Sequence, residues 1–230
     1  MSELAIRYFP LGDAALTVEF GNVISEALNQ RAVSLSQAIE DADLPWLIES
    51  APAYASTTVF YDPSIVKRQF SDSETAFESV RKIISEIAQK QNNCEPVASG
   101  DGHYIEIPVD FGADAALDLG FIAENAGLTL SDVIDIFTST EYRVYMLGFL
   151  PGFAYLGEVD ERIAMPRRST PRTSVPKGSV GIAGKQTGIY PLRSPGGWQI
   201  IGRTDAELFT PFGSELTLLK PGGMVRFVAK

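Results

Sequence analysis

The chain has 230 residues, 45% hydrophobic and 21% charged, an ordinary balance for a globular protein large enough to bury its own core. Its formal net charge of −10 sets it apart from general nucleic-acid binders and from proteins that sit on anionic membranes, both of which need a basic footprint. One cysteine, Cys94, excludes an internal disulfide, and the absence of a signal-like N-terminus or a bilayer-length apolar run points to a soluble, cytoplasmic protein.

Residues 4–20 read as two short strands, LAIRYF and AALTVEF, around a turn supplied by Pro10, Gly12 and Asp13. A helix follows over 24–42, with Ile24, Leu28, Leu35 and Ile39 on one apolar face and Pro45 beyond its end. WLIES and YASTTVFYD are the next strands. A second helix over 73–90 shows Phe77, Val80, Ile84 and Ile87 at helical spacing, with Ser73 as its N-cap. The order β-β-α-β-β-α describes an α+β unit, residues 1–95. The polar stretch QNNCEPVASGDG reads as a linker over 92–102, and a second domain covers 100–230.

That second domain opens with the strand HYIEIPVDF and two helical segments, 115–126 and 131–138, the latter with a capping box from Thr129 to Asp132. From residue 142 onward the helical pattern stops. Short apolar runs, YRVYMLGF, GSVGIAG, TGIYPL, WQIIGRT, ELTLLK and MVRFVAK, alternate with Gly and Pro, which is the signature of a mostly-β barrel or sandwich.

Charge is unevenly spread. Arg162, Arg167, Arg168, Arg172, Lys177, Lys185, Arg193 and Arg203 fall within 162–203, a span with no Asp or Glu, while the remaining 11 basic residues face all 29 acidic ones. The segment PRRSTPR sets three guanidinium groups on a proline-stiffened strap, a composition suited to bidentate recognition of carboxylate or phosphate. The bland alternative is pairing with the chain's own acids. The glycines at 178, 181, 184, 188, 196, 197 and 202 allow close backbone approach, either to a ligand or between the strands of a curved barrel. Phe149, Phe153, Tyr155, Tyr190 and Trp198 are either core or the wall of a pocket.

Several chemistries fail at the residue level. GSVGIAGKQ resembles a phosphate-binding loop but has five residues between Gly178 and Gly184 where four are needed, Gln186 after Lys185, and a strand-like continuation instead of a helix. No G-x-S-x-G elbow occurs. A single His, His103, and the isolated Cys94 have no partners at useful spacing for a dyad or a zinc site.

Four segments in order, YRVYMLGFLPGFAYLG, PRRSTPR, VPKGSVGIAGKQTGIYPL and SPGGWQIIGRT, together with LGDAALTVEFG and IEIPVDFG, resemble a bacterial family. Its members are called allophanate hydrolase subunit 1 or the 5-oxoprolinase B subunit, and they include an inhibitor of a sporulation histidine kinase. The resemblance implies an α+β protein, a small N-terminal α+β domain followed by a cyclophilin-like β-barrel. It implies partners, the C and A subunits of 5-oxoprolinase, and ATP (with Mg) as co-substrate in opening the lactam of 5-oxoproline to glutamate. Fold alone does not carry function, so the barrel does not make this a prolyl isomerase. The alternatives are a regulator that binds a sensor histidine kinase, and a component of allophanate or urea metabolism. Phosphoryl activation of a lactam brings phosphates, a carboxylate and developing negative charge together, and positive groups serve such chemistry. The expected catalytic residues are therefore Arg167, Arg168 and Arg172. The expected substrate or nucleotide contacts are Tyr145, Phe149, Pro151, Gly152, Phe153, Lys185, Gln186, Thr187, Tyr190, Gly196, Gly197, Trp198 and Arg203. Two departures from the family pattern stand out. Phe137 occupies a position where the family commonly has His, which implies the loss of a polar contact. FGADAALDLGFIA stands where the family more often shows YGG…GPDL, with Ala113 and Leu117 in place of glycine and proline.

Overall fold

In the computed structural model, which describes residues 6–70, 75–92 and 104–230, the chain divides into units of residues 1–98 and 99–230. The first unit runs β1 (Arg7–Pro10), β2 (Ala15–Glu19), α1 (Glu26–Asp41), β3 (Leu47–Pro52), β4 (Ser56–Tyr61), α2 (Pro63–Gln69) and α3 (Ala76–Asn92). Its four strands form an antiparallel sheet in the order β1-β2-β4-β3. Thr57, Val59 and Tyr61 alternate inward on β4, the period of two expected of a half-buried strand. Leu35 and Ile39 of α1 and Val80, Ile84 and Ala88 of α3 complete the core with Leu16, Val18 and Trp46.

The helical face of α1 is shorter than its apolar spacing predicts. Ile24 precedes the helix and is exposed, and Leu28 is half-buried. Asn29 and Ser36 are buried instead, made tolerable by bonds from Asn29 Nδ2 to the Ala53 carbonyl (2.9 Å) and between the Ser36 and Ser50 hydroxyls (2.5 Å). Helix α2 is too short for periodicity to reveal. Its signals are local: Pro63 in the first turn and an Asp62 side chain that accepts from the Ser64 and Ile65 amides. The described cap of α3 is a Thr75–Glu78 capping box. Ser73, Cys94, His103 and most of the predicted linker lie outside the described residues.

The second unit contains β5 (Ile105–Val109), α4 (Leu119–Ala126), α5 (Leu130–Ser139), β6 (Glu141–Leu147), β7 (Ala154–Gly157), β8 (Arg172–Val175), β9 (Ser179–Ala183), β10 (Gln186–Ile189), β11 (Ser194–Gly196), β12 (Gln199–Arg203) and β13 (Met224–Ala229). Seven strands form one sheet in the order β12-β9-β10-β7-β6-β13-β5, in which only the β13–β5 pair is parallel. The sheet nearly closes on itself. Asp110, just past β5, exchanges both backbone hydrogen bonds with Arg203 of β12 (2.8 and 2.9 Å). Gly202 permits this seam, since a Cβ there would lie 2.5 Å from Val109 Cγ1 and 3.0 Å from the Asp110 carbonyl. The barrel-like core contains Ile107, Val144, Leu156, Ile182, Ile189, Ile201 and Phe227, covered by Ile122 of α4 and Val133 of α5.

Three expectations change here. The helix predicted from 115 begins only at Leu119, because the Gly112 carbonyl draws the Ala115 and Ala116 amides into a turn (both 2.9 Å). ELTLLK forms no regular strand; it contributes a single bridge, Phe209 to Thr217. Phe137 faces the barrel core. It is fully buried, stacks on Phe227 with centroids 4.8 Å apart, and touches Tyr142 and Phe111. Its side chain packs within an apolar cluster of the core.

Candidate functional site

Strands β7, β9 and β12 present alternate side chains to two different clusters. Leu156, Val180, Ile182 and Ile201 point into the main core, while Ile200, Ala183 and Tyr155 belong to a second cluster with Phe153, Val175, Tyr190 and Trp198. The β8–β11 ribbon supplies Val175 and so lies over this second layer. The rings meet edge to face: Phe153 lies 5.4 Å from Tyr190, 5.5 Å from Trp198 and 4.9 Å from Tyr155, the geometry favoured by aromatic quadrupoles. Two glycines make room for them. A Cβ on Gly188 would approach the Ala154 carbonyl to 2.7 Å and the Phe153 ring to 3.1 Å, and one on Gly196 would meet the Tyr190 phenol. The glycine density of the segment therefore has a packing cause.

Phe153, Tyr190 and Trp198 are buried, so most of the predicted aromatic wall is core. Phe149 differs. It is 61% exposed, packs edge-on against Phe153 and Tyr190, and has φ of 69°. A bulky residue in that left-handed region costs about 1–3 kcal/mol, and exposure returns little of it through burial. Pro151 and Gly152 complete the same loop, Gly152 packing against Leu208 and Phe209.

The strap carrying the arginines runs beside this layer. Its backbone is tied down where the Arg168 amide donates to the Gly197 carbonyl (2.7 Å). Asp118, at the N-terminus of α4, is 4% exposed and gathers the side chains. Its Oδ1 accepts from Arg168 Nη1 (2.9 Å) and Arg172 Nη2 (2.8 Å), and its Oδ2 accepts from Arg172 Nη1 (2.8 Å) and the Ile200 amide (2.6 Å). The Asp118 amide donates in turn to the Ile200 carbonyl (2.7 Å). One residue thus extends the barrel seam along β12 and holds two guanidinium groups, one of them bidentate.

Arg167 is exposed and has no acidic partner among the described residues. Its charge reaches Tyr190. Burial raises the Tyr190 phenol above its ordinary value, against a hydrogen bond from the Trp198 backbone and the nearby positive charges of Arg167 and Arg172.

Much of the remaining basic island pairs with acids that the sequence places outside it. Arg162 pairs with Asp160, Lys177 with Glu207 and Lys185 with Glu161, all at exposed positions where such pairs contribute little. Arg193 reaches the Ser174 hydroxyl, and Arg203 stands exposed at the seam near Asp205. Lys185 and Gln186 stand at the β9–β10 turn, which continues as strand, so the phosphate-loop geometry is absent there. Thr187 is buried and spends its hydroxyl on the Gly181 carbonyl (3.0 Å). Tyr145 is buried against Gly157. The predicted residues that converge are Arg167, Arg168, Arg172, Tyr190, Gly196, Gly197, Trp198, Phe153 and Phe149; Lys185 and Thr187 are committed elsewhere, and Arg203 stands at the barrel seam.

Asp118 is absent from the residues predicted for the site because it lies 44 positions before the start of the basic span. Its one signal is the Asp-Leu pair that survives in FGADAALDLGFIA when the flanking glycine and proline of the family pattern are replaced. Among the described residues no group of three or more His, Cys, Asp or Glu side chains is placed to hold a metal, and no helix is long and apolar enough to cross a membrane.

A barrel-like sheet carrying this strap and aromatic layer defines a class: a family model for the carboxyltransferase domain, subdomain C and D, matches residues 6–219, and the chain belongs to that family. Within it, the chain is 44% identical to the 5-oxoprolinase B subunit of Bacillus subtilis (strain 168), over 98% of this chain and 94% of that protein. It is 39% identical to the 5-oxoprolinase B subunit of Escherichia coli O157:H7, over 96% and 95%. Among solved structures it superposes on TTHA0988 with a TM-score of 0.78 at 33% identity; the match covers 98% of this chain and 40% of that one, so this chain spans about two fifths of its length.

Proposed function

We propose that the protein is the B subunit of an ATP-dependent 5-oxoprolinase, inactive alone, which acts with the C and A subunits to convert 5-oxo-L-proline to L-glutamate. The observation that carries this reading is near full-length similarity to two bacterial proteins of that name, combined with a cationic strap at the surface of the matching domain. An unstrained lactam resists water. Transfer of the ATP γ-phosphoryl group to its carbonyl oxygen creates a leaving group and releases ADP. The protein's part in such a step is to position the reactants and stabilise negative charge. Arg167 is the group of this chain suited to phosphate or carboxylate oxygens, with the Asp118-held pair adding positive charge behind it. ATP enters as co-substrate with Mg, and Arg167 would meet its phosphates or the substrate carboxylate.

The test is reconstitution. The chain is mixed with the C and A subunits, and ADP release is measured with and without 5-oxoproline. The expected result is turnover that needs both 5-oxoproline and this chain. A well-formed complex without substrate-dependent turnover would sink the proposal. Loss of sensor-kinase autophosphorylation on adding this chain alone would favour the regulatory alternative.

A further inference from the structure

The three arginines of PRRSTPR do different jobs. Arg168 and Arg172 point at one buried carboxylate, whose two oxygens accept four hydrogen bonds and have no strong capacity left. Arg168 Nε is buried with no hydrogen-bond partner among the described residues. Arg167 is exposed and without an acidic partner among the described residues, and the next residue, Arg168, ties the strap to Gly197, whose neighbour Gly196 packs against the Tyr190 phenol. Phe149 packs on the same Tyr190 ring, exposed and in a backbone conformation that disfavours it.

We propose that Asp118 is a positioning residue that locks Arg168 and Arg172 in place and leaves Arg167 as the arm that meets an anionic ligand. The proposal deepens the functional reading above and rests on it for the role of the anion. The charge count agrees. Two guanidinium groups and one carboxylate leave a net +1, and Arg167 adds another, so the strap keeps a positive field although its central pair is neutralised in part. Asp118 is bonded through both backbone and side chain to Ile200, so the orientation of the pair is inherited from the barrel seam. Asp118→Asn keeps size and an acceptor for the Ile200 amide but leaves two guanidinium groups facing each other without a counter-charge.

The arginine Nε–Hε resonances of the full-length chain are followed by NMR during titration with sodium pyrophosphate and, separately, with 5-oxoproline. Wild type, Asp118→Asn and the double variant Asp118→Asn/Arg172→Gln are compared. The expected result is an Arg167 signal that moves with one titrant or both, assigning phosphate or carboxylate as the anion, while Arg168 and Arg172 hold still. In Asp118→Asn, Arg168 and Arg172 lose the carboxylate that holds them, and their signals should now move with the titrant alongside Arg167. The double variant sheds one uncompensated charge and should recover the thermal midpoint while Arg168 still responds to the titrant, which a merely structural role would not produce. The proposal is overturned if neither titrant moves Arg167, if Arg168 or Arg172 responds in the wild type, or if both stay still in Asp118→Asn. Turnover of the assembled complex decides the functional reading separately: an Arg167 response in a chain whose complex lacks 5-oxoproline turnover would retain the positioning and remove the enzyme.

Discussion

Phe137→His tests whether residue 137 belongs to the ligand site or to the core. The ring is fully buried between Phe227, Tyr142 and Phe111. Imidazole would give up part of a burial worth about 1.5–3 kcal/mol and would bring a ring N–H into an apolar cluster at about 1–3 kcal/mol. The Phe137 carbonyl already accepts from the Tyr142 phenol (3.0 Å), so that phenol is committed. Together these give a loss of about 3 kcal/mol, which corresponds to a fall of about 10 °C in the melting midpoint of the C-terminal unit. The loss also acquires a sign with pH. Burial favours the neutral imidazole and depresses its folded pKa below an unfolded value of about 6.5, so the penalty deepens as pH falls through that value. Urea unfolding of the C-terminal unit between pH 5.5 and 8 measures both. A variant as stable as wild type across that range, or one with raised 5-oxoproline-dependent turnover, would refute the placement of residue 137 in the core.

Gly202→Ala should open the barrel seam: its Cβ cannot be accommodated between Val109 and Asp110 without displacing β5 or β12, at a cost of about 1–3 kcal/mol. Amide exchange at Asp110 and Arg203 should accelerate first, and unchanged protection there would contradict the closure described. The Asp160 carboxyl is held down at about 2 by hydrogen bonds from the Arg162 side chain and amide. Its folded pKa lies below the unfolded value, so any stability it lends is present above about 4 and disappears as pH falls toward 2. In Arg162→Ala the carboxyl should return toward the ordinary aspartate range by NMR titration; no movement would mean the pair does not form in solution.

What could be read from the sequence follows the range of the interactions involved. Strand alternation in YASTTVFYD and the Thr129–Asp132 capping box depend on neighbours two to three residues apart, and both appear in the structure. Helix α2 depends on a cap and a proline rather than on periodicity, so apolar spacing alone does not reveal it. The basic island was legible as composition but not as chemistry. Its charges are mostly answered by Asp160, Glu161, Glu207 and, 50 and 54 residues away, Asp118, and no local pattern announces pairings of that length. The glycines were ambiguous for the same reason: only the fold shows that Gly188 and Gly196 lie under aromatic rings. Arg167, by contrast, keeps the exposed position that an anion-binding role requires.

The most direct measurement of the central claim is glutamate formation from 5-oxoproline by the complex assembled with wild-type chain or with Arg167→Ala. The expected result is ATP-dependent glutamate with the wild type, and a drop of about tenfold or more in kcat/KM with Arg167→Ala, the size expected when a charge-assisted contact worth about 1.5–3 kcal/mol is removed, at an unchanged melting midpoint. Equal rates from the two chains would contradict it.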